Sequence, residues 1–166
     1  EIVGNIYNSQ KNYYKFLKNI IRKNKLDNVV FLGFKKNVSL FLKSWDLYCC
    51  FSKNESSPLS VWEAMHHGLP IITTDVGDLK YHIFRGKFGY LIHSYDIKKY
   101  ASKIKYSLYN KSLYRKLSSA SLNYSRKFLN LENNFKKSLE FLFSNKNETD
   151  NKKIKLSTGN LKRGIP

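Results

Sequence analysis

Short apolar runs alternate with stretches whose apolar residues recur every three or four positions along most of the 166 residues. Ile2-Val3 is β-prone and stops at Gly4. From about residue 9 to 24, Tyr13, Phe16, Leu17, Ile20 and Ile21 share one helical face. Val29-Val30-Phe31-Leu32, ended by Gly33, has the continuous apolar character of a buried strand. Asn37 is placed to cap a short helix holding Val38, Phe41 and Leu42, and Leu47 to Phe51 is the next strand. Pro58 to His67 reads as a helix, with Ser57 at the N-cap and Pro58 at the first helical position, where its missing N–H costs nothing. Gly68 and Pro70 end it. Ile71 to Thr74 is a strand, Leu79 to Phe84 a short helix and Tyr90 to Ile92 a last strand. Asp96 caps a helix carrying Ile97, Tyr100, Ala101, Ile104 and Leu108, and further helices are predicted near 111–126 and 131–143.

This alternation predicts an α/β fold: a Rossmann-like parallel sheet with helices on both faces. The domain spans 1–144, and the polar residues 145–166 read as a flexible basic tail. The chain opens on a strand without an initiator Met or a leader pattern, so it is expected to be an N-terminally truncated piece of a longer protein. Ligands of such sheets sit at the C-terminal strand ends. The loops to watch therefore follow Gly4, Gly33, Phe51, Thr74 and Ile92.

Composition narrows the picture. Hydrophobic residues at 42% allow a core and exclude a wholly disordered chain. Two adjacent cysteines, Cys49 and Cys50, exclude a disulfide scaffold, and no apolar run is long enough to span a membrane. The net charge of +18 suits polyanionic partners, yet 25 of the 30 basic residues are Lys spread along the chain, which equally describes a solvated surface. Residues 97–131 hold nine Lys or Arg and no acid, a stretch that would suit an anionic membrane surface. Nucleic acid is not expected as a partner, because the aromatics fall at core spacing rather than among the basic residues.

The segment Ser52 to Met65 concentrates the candidate chemistry. It leaves a strand, forms a loop and opens a helix whose first amides and positive dipole end suit a phosphate. Glu55 precedes that helix and Glu63 lies within it, so two carboxylates flank an anion site. Carboxylates accept from paired hydroxyls, and a nucleotide-sugar presents sugar hydroxyls, a diphosphate and ribose hydroxyls in that order. Two such carboxylates around a helix start are also commonly dipole partners on a solvated face.

Glu55 to Glu63 resembles the Glu-x7-Glu motif of family 4 retaining glycosyltransferases with the GT-B fold. Asn28 to Gly33, Trp45 to Tyr48, Trp62 to Met65, Gly68 to Ile72, Thr74 to Gly77 and Gly86 to Ile92 resemble further motifs of that family, in the same order, over about residues 1–143. The resemblance implies the C-terminal, donor-binding half of a GT-B fold. It makes Glu55 the catalytic carboxylate, binding hydroxyls of the transferred sugar, and gives Glu63 the ribose hydroxyls. Amides near Leu59, Ser60 and Val61 would meet the sugar and diphosphate, Ser56 would donate a hydrogen bond, and backbone near Gly33 and Phe34 would border the base. It further implies a nucleotide-sugar donor, a glycan or lipid-linked acceptor, no cofactor and no metal for donor binding, and a cytoplasmic place, at the inner face of the membrane. The acceptor-binding N-terminal domain, and an Arg and a Lys that neutralise the diphosphate, would lie upstream of Glu1. Where the family has Gly and an aromatic after the first Glu, this chain has Ser56 and Ser57, and a positive φ at Ser56 would be strained. The alternatives from other classes are a non-catalytic domain on the same scaffold and a basic nucleic-acid-binding module.

Overall fold

The computed structural model describes residues 1–93 and 96–144. The chain divides into two compact units, Glu1–Leu129 and a second that begins at Asn130. The expected tail, 145–166, lies outside the described residues.

In the first unit the order is β1 (Ile2–Val3), α1 (Lys11–Lys23), β2 (Phe31–Gly33), α2 (Ser39–Leu42), β3 (Tyr48–Cys50), α3 (Leu59–His66), β4 (Ile71–Thr74), α4 (Leu79–Gly86), β5 (Gly89–Ile92), α5 (Ile97–Tyr109) and α6 (Lys111–Phe128). The second unit holds α7 (Leu131–Ser144). Every strand pairing is parallel. The strands form two ladders, β1-β2 and β3-β4-β5.

The core lies around β4, whose four residues are all buried. Alternating side chains face opposite sides of a strand. Ile71 accordingly joins Val61, Ala64 and Met65 of α3, Leu79 and Ile83 of α4 and Tyr124 of α6, while Ile72 joins Ile92 and Tyr100 on the other face. Helices thus cover both faces, as the alternation predicts. Small residues let α6 approach closely: Ser121 and Ser125 are fully buried, and Ser121 Oγ donates to the Leu69 carbonyl at 2.8 Å.

Several local expectations shift for physical reasons. Pro58 is itself the N-cap of α3, because its ψ of 104° is extended rather than helical. Ser57 does not cap that helix; its hydroxyl accepts from Trp62 Nε1 at 2.9 Å. Val38 rather than Asn37 precedes α2, without a side-chain cap. The strands expected at 29–32 and 47–51 are Phe31–Gly33, in register with Ile2 and Val3 across a local shift, and Tyr48–Cys50, in register with Ile71 to Thr73. On α1, Leu17 and Ile21 turn inward as the spacing predicts, whereas Tyr13, Phe16 and Ile20 are exposed and Tyr14 turns inward, edge-on to Phe31.

Asp96 caps α5 as its position predicts, accepting from the amides of Lys98 and Lys99 at 3.0 and 3.2 Å. Asp96→Ala should lower stability by about 1 kcal/mol, the usual cost of losing such a cap. Urea unfolding measures it, and an unchanged midpoint would show that α5 starts equally well without the carboxylate.

Candidate functional site

The loop from Ser52 to Pro58 carries Glu55 from the end of β3 to the start of α3. Its shape is fixed from several sides. Thr74 Oγ1, at the end of β4, donates to the Ser52 carbonyl at 2.6 Å. Ser52 Oγ donates to Glu55 Oε1 at 2.8 Å. The Asp78 amide donates to the Ser56 carbonyl at 3.1 Å. Gly77 packs against that same carbonyl with φ at +55°, where a Cβ would lie 2.7 Å from the Ser56 carbonyl carbon and 2.9 Å from the Glu55 carbonyl oxygen. Ser56 keeps a negative φ, since Lys25 and Lys87 are the only non-glycine residues with positive φ among the described residues. The loop therefore holds its turn without the strain that a glycine would otherwise relieve.

α3 presents Ser60 and Glu63 one turn apart on one face. Both line a cavity of about 860 Å³, together with Phe34, Lys35, Trp45 and Tyr48. Burial pushes the Tyr48 phenol above its usual value, with the Ser60 side chain opposing. On its other side Glu63 lines a second cavity of about 560 Å³ with Leu59, Trp62, His66 and His67. His67 faces Ser39 Oγ at 3.0 Å, and its pKa is lowered by burial first and then by Lys43 and His66.

Three of the residues singled out in the sequence, Phe34, Ser60 and Glu63, therefore share one cavity. Gly33 ends β2 with φ at +69°, turning the chain toward Phe34, which is 72% exposed. Leu59 is 74% exposed at the head of α3. Glu55 and Ser56 stand exposed on the preceding loop, outside the two cavities just described. Val61 differs: its side chain is fully buried and its amide donates to the Pro58 carbonyl at 3.0 Å, so that N–H is already used within the first turn. Among the described residues no hydrogen bond is given by the Leu59 or Ser60 amides outside the helix's own ladder, and these are the donors the helix start leaves to a ligand.

Tyr48, Lys35 and Trp45 border the cavity, and Gly77 and Asp78 shape the Glu55 loop, without having been singled out for it in sequence. For Gly77 and Asp78 the signal was available, a turn directly after β4 on the ligand-bearing side of the sheet. Cys50 is buried and Cys49 exposed, the two sides expected of adjacent strand residues. Among the described residues no three His, Cys, Asp or Glu side chains converge on one point, and no helix is long and apolar enough to cross a membrane.

Residues 1–124 match the family described as Glycosyl transferases group 1. Over 101 residues the chain is 36% identical to spore coat protein SA of Bacillus subtilis (strain 168), covering 58% of this chain and 26% of that protein. Its fold is similar to that of Anabaena HepE, solved in complex with UDP, with a TM-score of 0.79 and 22% identity over 86% of this chain and 40% of that one. It is also similar to the C-terminal domain of a glycosyl transferase group 1 family protein, LpcC of Francisella tularensis, with a TM-score of 0.69 and 20% identity over 75% of this chain and 66% of that one. The architecture is thus that of the C-terminal half of a GT-B fold. The chain spans about a quarter of the length of the curated relative and two-fifths of HepE.

Proposed function

The chain belongs to the glycosyl transferases group 1 family, and from that premise we propose that it is the donor-binding half of a retaining glycosyltransferase. The enzyme moves a sugar from a nucleotide-sugar to a glycan or lipid-linked acceptor. The observation that carries the reading is the pairing of Ser60 and Glu63 at the head of α3, in one cavity with Phe34. A carboxylate there accepts from both ribose hydroxyls, while Phe34 and the backbone at Gly33 border the base. The amides of Leu59 and Ser60, at the positive end of α3, receive the diphosphate. Glu55 reaches the transferred sugar from the loop before the helix, and the donor phosphate helps to deprotonate the acceptor hydroxyl. Donor binding needs no metal, in keeping with a sequence that lacks any Asp-x-Asp. The acceptor is held by a further, N-terminal domain. The protein works in the cytoplasm at the inner face of the membrane, where the basic stretch 97–131 meets anionic lipid.

The test is a transfer assay on the full-length protein, begun with UDP-sugars because HepE was solved with UDP. Sugar transfer with the anomeric configuration retained, undiminished by EDTA, is expected. An inverted product, or turnover abolished by EDTA and restored by a divalent cation, would overturn the mechanism.

A further inference from the structure

The loop that carries Glu55 is held at both ends, and the holds at its second end lead to one side chain. At the first end, Thr74 Oγ1 donates to the Ser52 carbonyl. At the second, the Asp78 amide donates to the Ser56 carbonyl at 3.1 Å, and Trp62 Nε1 donates to Ser57 Oγ at 2.9 Å. Asp78 is the residue before α4, and Trp62 lies on α3. Both meet His82, one turn into α4. Its imidazole stands edge-on to the Trp62 indole with ring centroids 4.9 Å apart, and its Nε2 lies 3.5 Å from Asp78 Oδ2.

The ring is fixed from a third side. Its Nδ1 lies 2.8 Å from the hydroxyl of Tyr124, a buried residue of α6. A carboxylate only accepts, so Nε2 carries its proton toward Asp78. In the neutral ring Nδ1 then accepts from Tyr124, and in the charged ring it donates to the same oxygen. Either state keeps the ring in one orientation. The His82 side chain is 21% exposed, so water competes little for these contacts. Asp78 depends on them. Its Oδ1 is buried with no hydrogen-bond partner among the described residues, a costly state for a carboxylate oxygen, which the N–H edge of His82 offsets. Without that edge the carboxylate is drawn out to water, and the turn whose amide holds Ser56 loosens with it.

We propose, resting on the reading of Glu55 given above, that His82 is a positioning residue for sugar transfer: through Asp78 and Trp62 it holds the Ser56-Ser57 end of the loop and so fixes where the Glu55 carboxylate stands. His82 acts at a distance, since it lines neither of the two cavities that Glu63 borders. Placement is a large part of what a group contributes to a reaction, and a shift of about 1 Å can cost roughly a hundredfold in rate. Three helices contribute to this one hold, α3 through Trp62, α4 through Asp78 and His82, and α6 through Tyr124. The loop thereby takes its position from the core rather than from its own exposed residues.

The test uses the full-length protein. His82→Leu keeps an apolar body against Trp62 and removes both ring nitrogens, whereas His82→Gln keeps an N–H that reaches toward Asp78. In His82→Leu, exchange of the Asp78 amide, followed by NMR, should speed at least about tenfold, with the β4 amides unchanged. With the UDP-sugar found in the transfer assay, kcat should fall roughly tenfold or more while the Kd for UDP stays within about twofold, because UDP carries no sugar for Glu55 to hold. His82→Gln should recover most of both. Tyr124→Phe frees the ring from its third side with little change of shape and should move both readouts the same way by about threefold, which keeps the test open if His82→Leu does not fold. Wild-type exchange at Asp78 in these variants would overturn the proposal. So would faster exchange with unchanged kcat, or a loss of UDP affinity as large as the loss of kcat, which would leave His82 a general support of the fold. A full-length protein that turns over no nucleotide-sugar would overturn the donor reading instead, and the exchange at Asp78 would still decide whether His82 holds the loop.

Discussion

Glu63→Ala in the full-length protein should weaken nucleotide-sugar binding on the order of 100-fold, seen as a raised donor KM with kcat much less affected. Glu63 is exposed on α3 and lines the cavity with Ser60, one turn before it. A hydrogen bond to a charged group contributes about 1.5–3 kcal/mol, and a carboxylate receiving two ribose hydroxyls makes two of them. Losing about 2.7 kcal/mol of binding is a hundredfold change. Such a loss is shared by the ground and transition states, so it falls on KM. Glu63→Gln keeps the shape and one acceptor oxygen and should lose roughly tenfold, the smaller share of that binding. Stability should stay within about 0.5 kcal/mol of wild type, as for most exposed sites. Titration of donor by calorimetry, beside thermal melts, separates these effects. Wild-type affinity in Glu63→Ala would remove this carboxylate from the donor site.

Gly77→Ala should cost about 2–5 kcal/mol of stability and displace the loop that carries Glu55. The φ of +55° costs an L-residue about 1–2 kcal/mol. The added Cβ would press on the Ser56 carbonyl and lie 2.9 Å from that of Glu55, an overpacking that costs about 1–3 kcal/mol more. Both obstructing groups are backbone, so no rotamer change relieves the contact. The relief left is a shift of the loop itself, which breaks the hydrogen bond from the Asp78 amide to Ser56. Sugar transfer should therefore fall further than the stability loss alone accounts for at temperatures well below the melt. A variant melting and turning over like wild type would show that the loop is not held by this turn.

How much of this was legible in the chain depends on how local the cause is. The strands showed themselves because apolar runs such as Ile71-Ile72 are buried on both faces. Asp96 announced its helix because the cap is made to amides two and three residues on. Ser57 misled because its hydroxyl meets Trp62 instead, a choice set by the extended ψ of Pro58. On α1, Leu17 and Ile21 follow from the spacing, whereas Tyr14 turns inward in place of its neighbour Tyr13 because it meets Phe31, a partner that the helix's own pattern does not contain. In the site, Glu63 and Ser60 follow from helical spacing. The meeting of α3 with Phe34 and Tyr48, and the pressing of Gly77 on the Glu55 loop, are long-range facts that no window of sequence contains.

The distribution of buried side chains has a kinetic meaning. Both core clusters are built from residues 42–124, and β1, α1 and β2 supply no fully buried apolar residue to either. Tyr48 pairs with Ile71, and Ile71 with Gly89, so the β3-β4-β5 ladder closes only short crossovers as it forms. Short crossovers and most of the apolar burial predict that this part condenses first, which φ-value analysis across β4 and α1 would check. The same asymmetry predicts that β1, α1 and β2 open first, by sub-global unfolding, while β4 and its helices stay folded. Proteolysis from the native state would enter the chain there, upstream of the loop that carries Glu55.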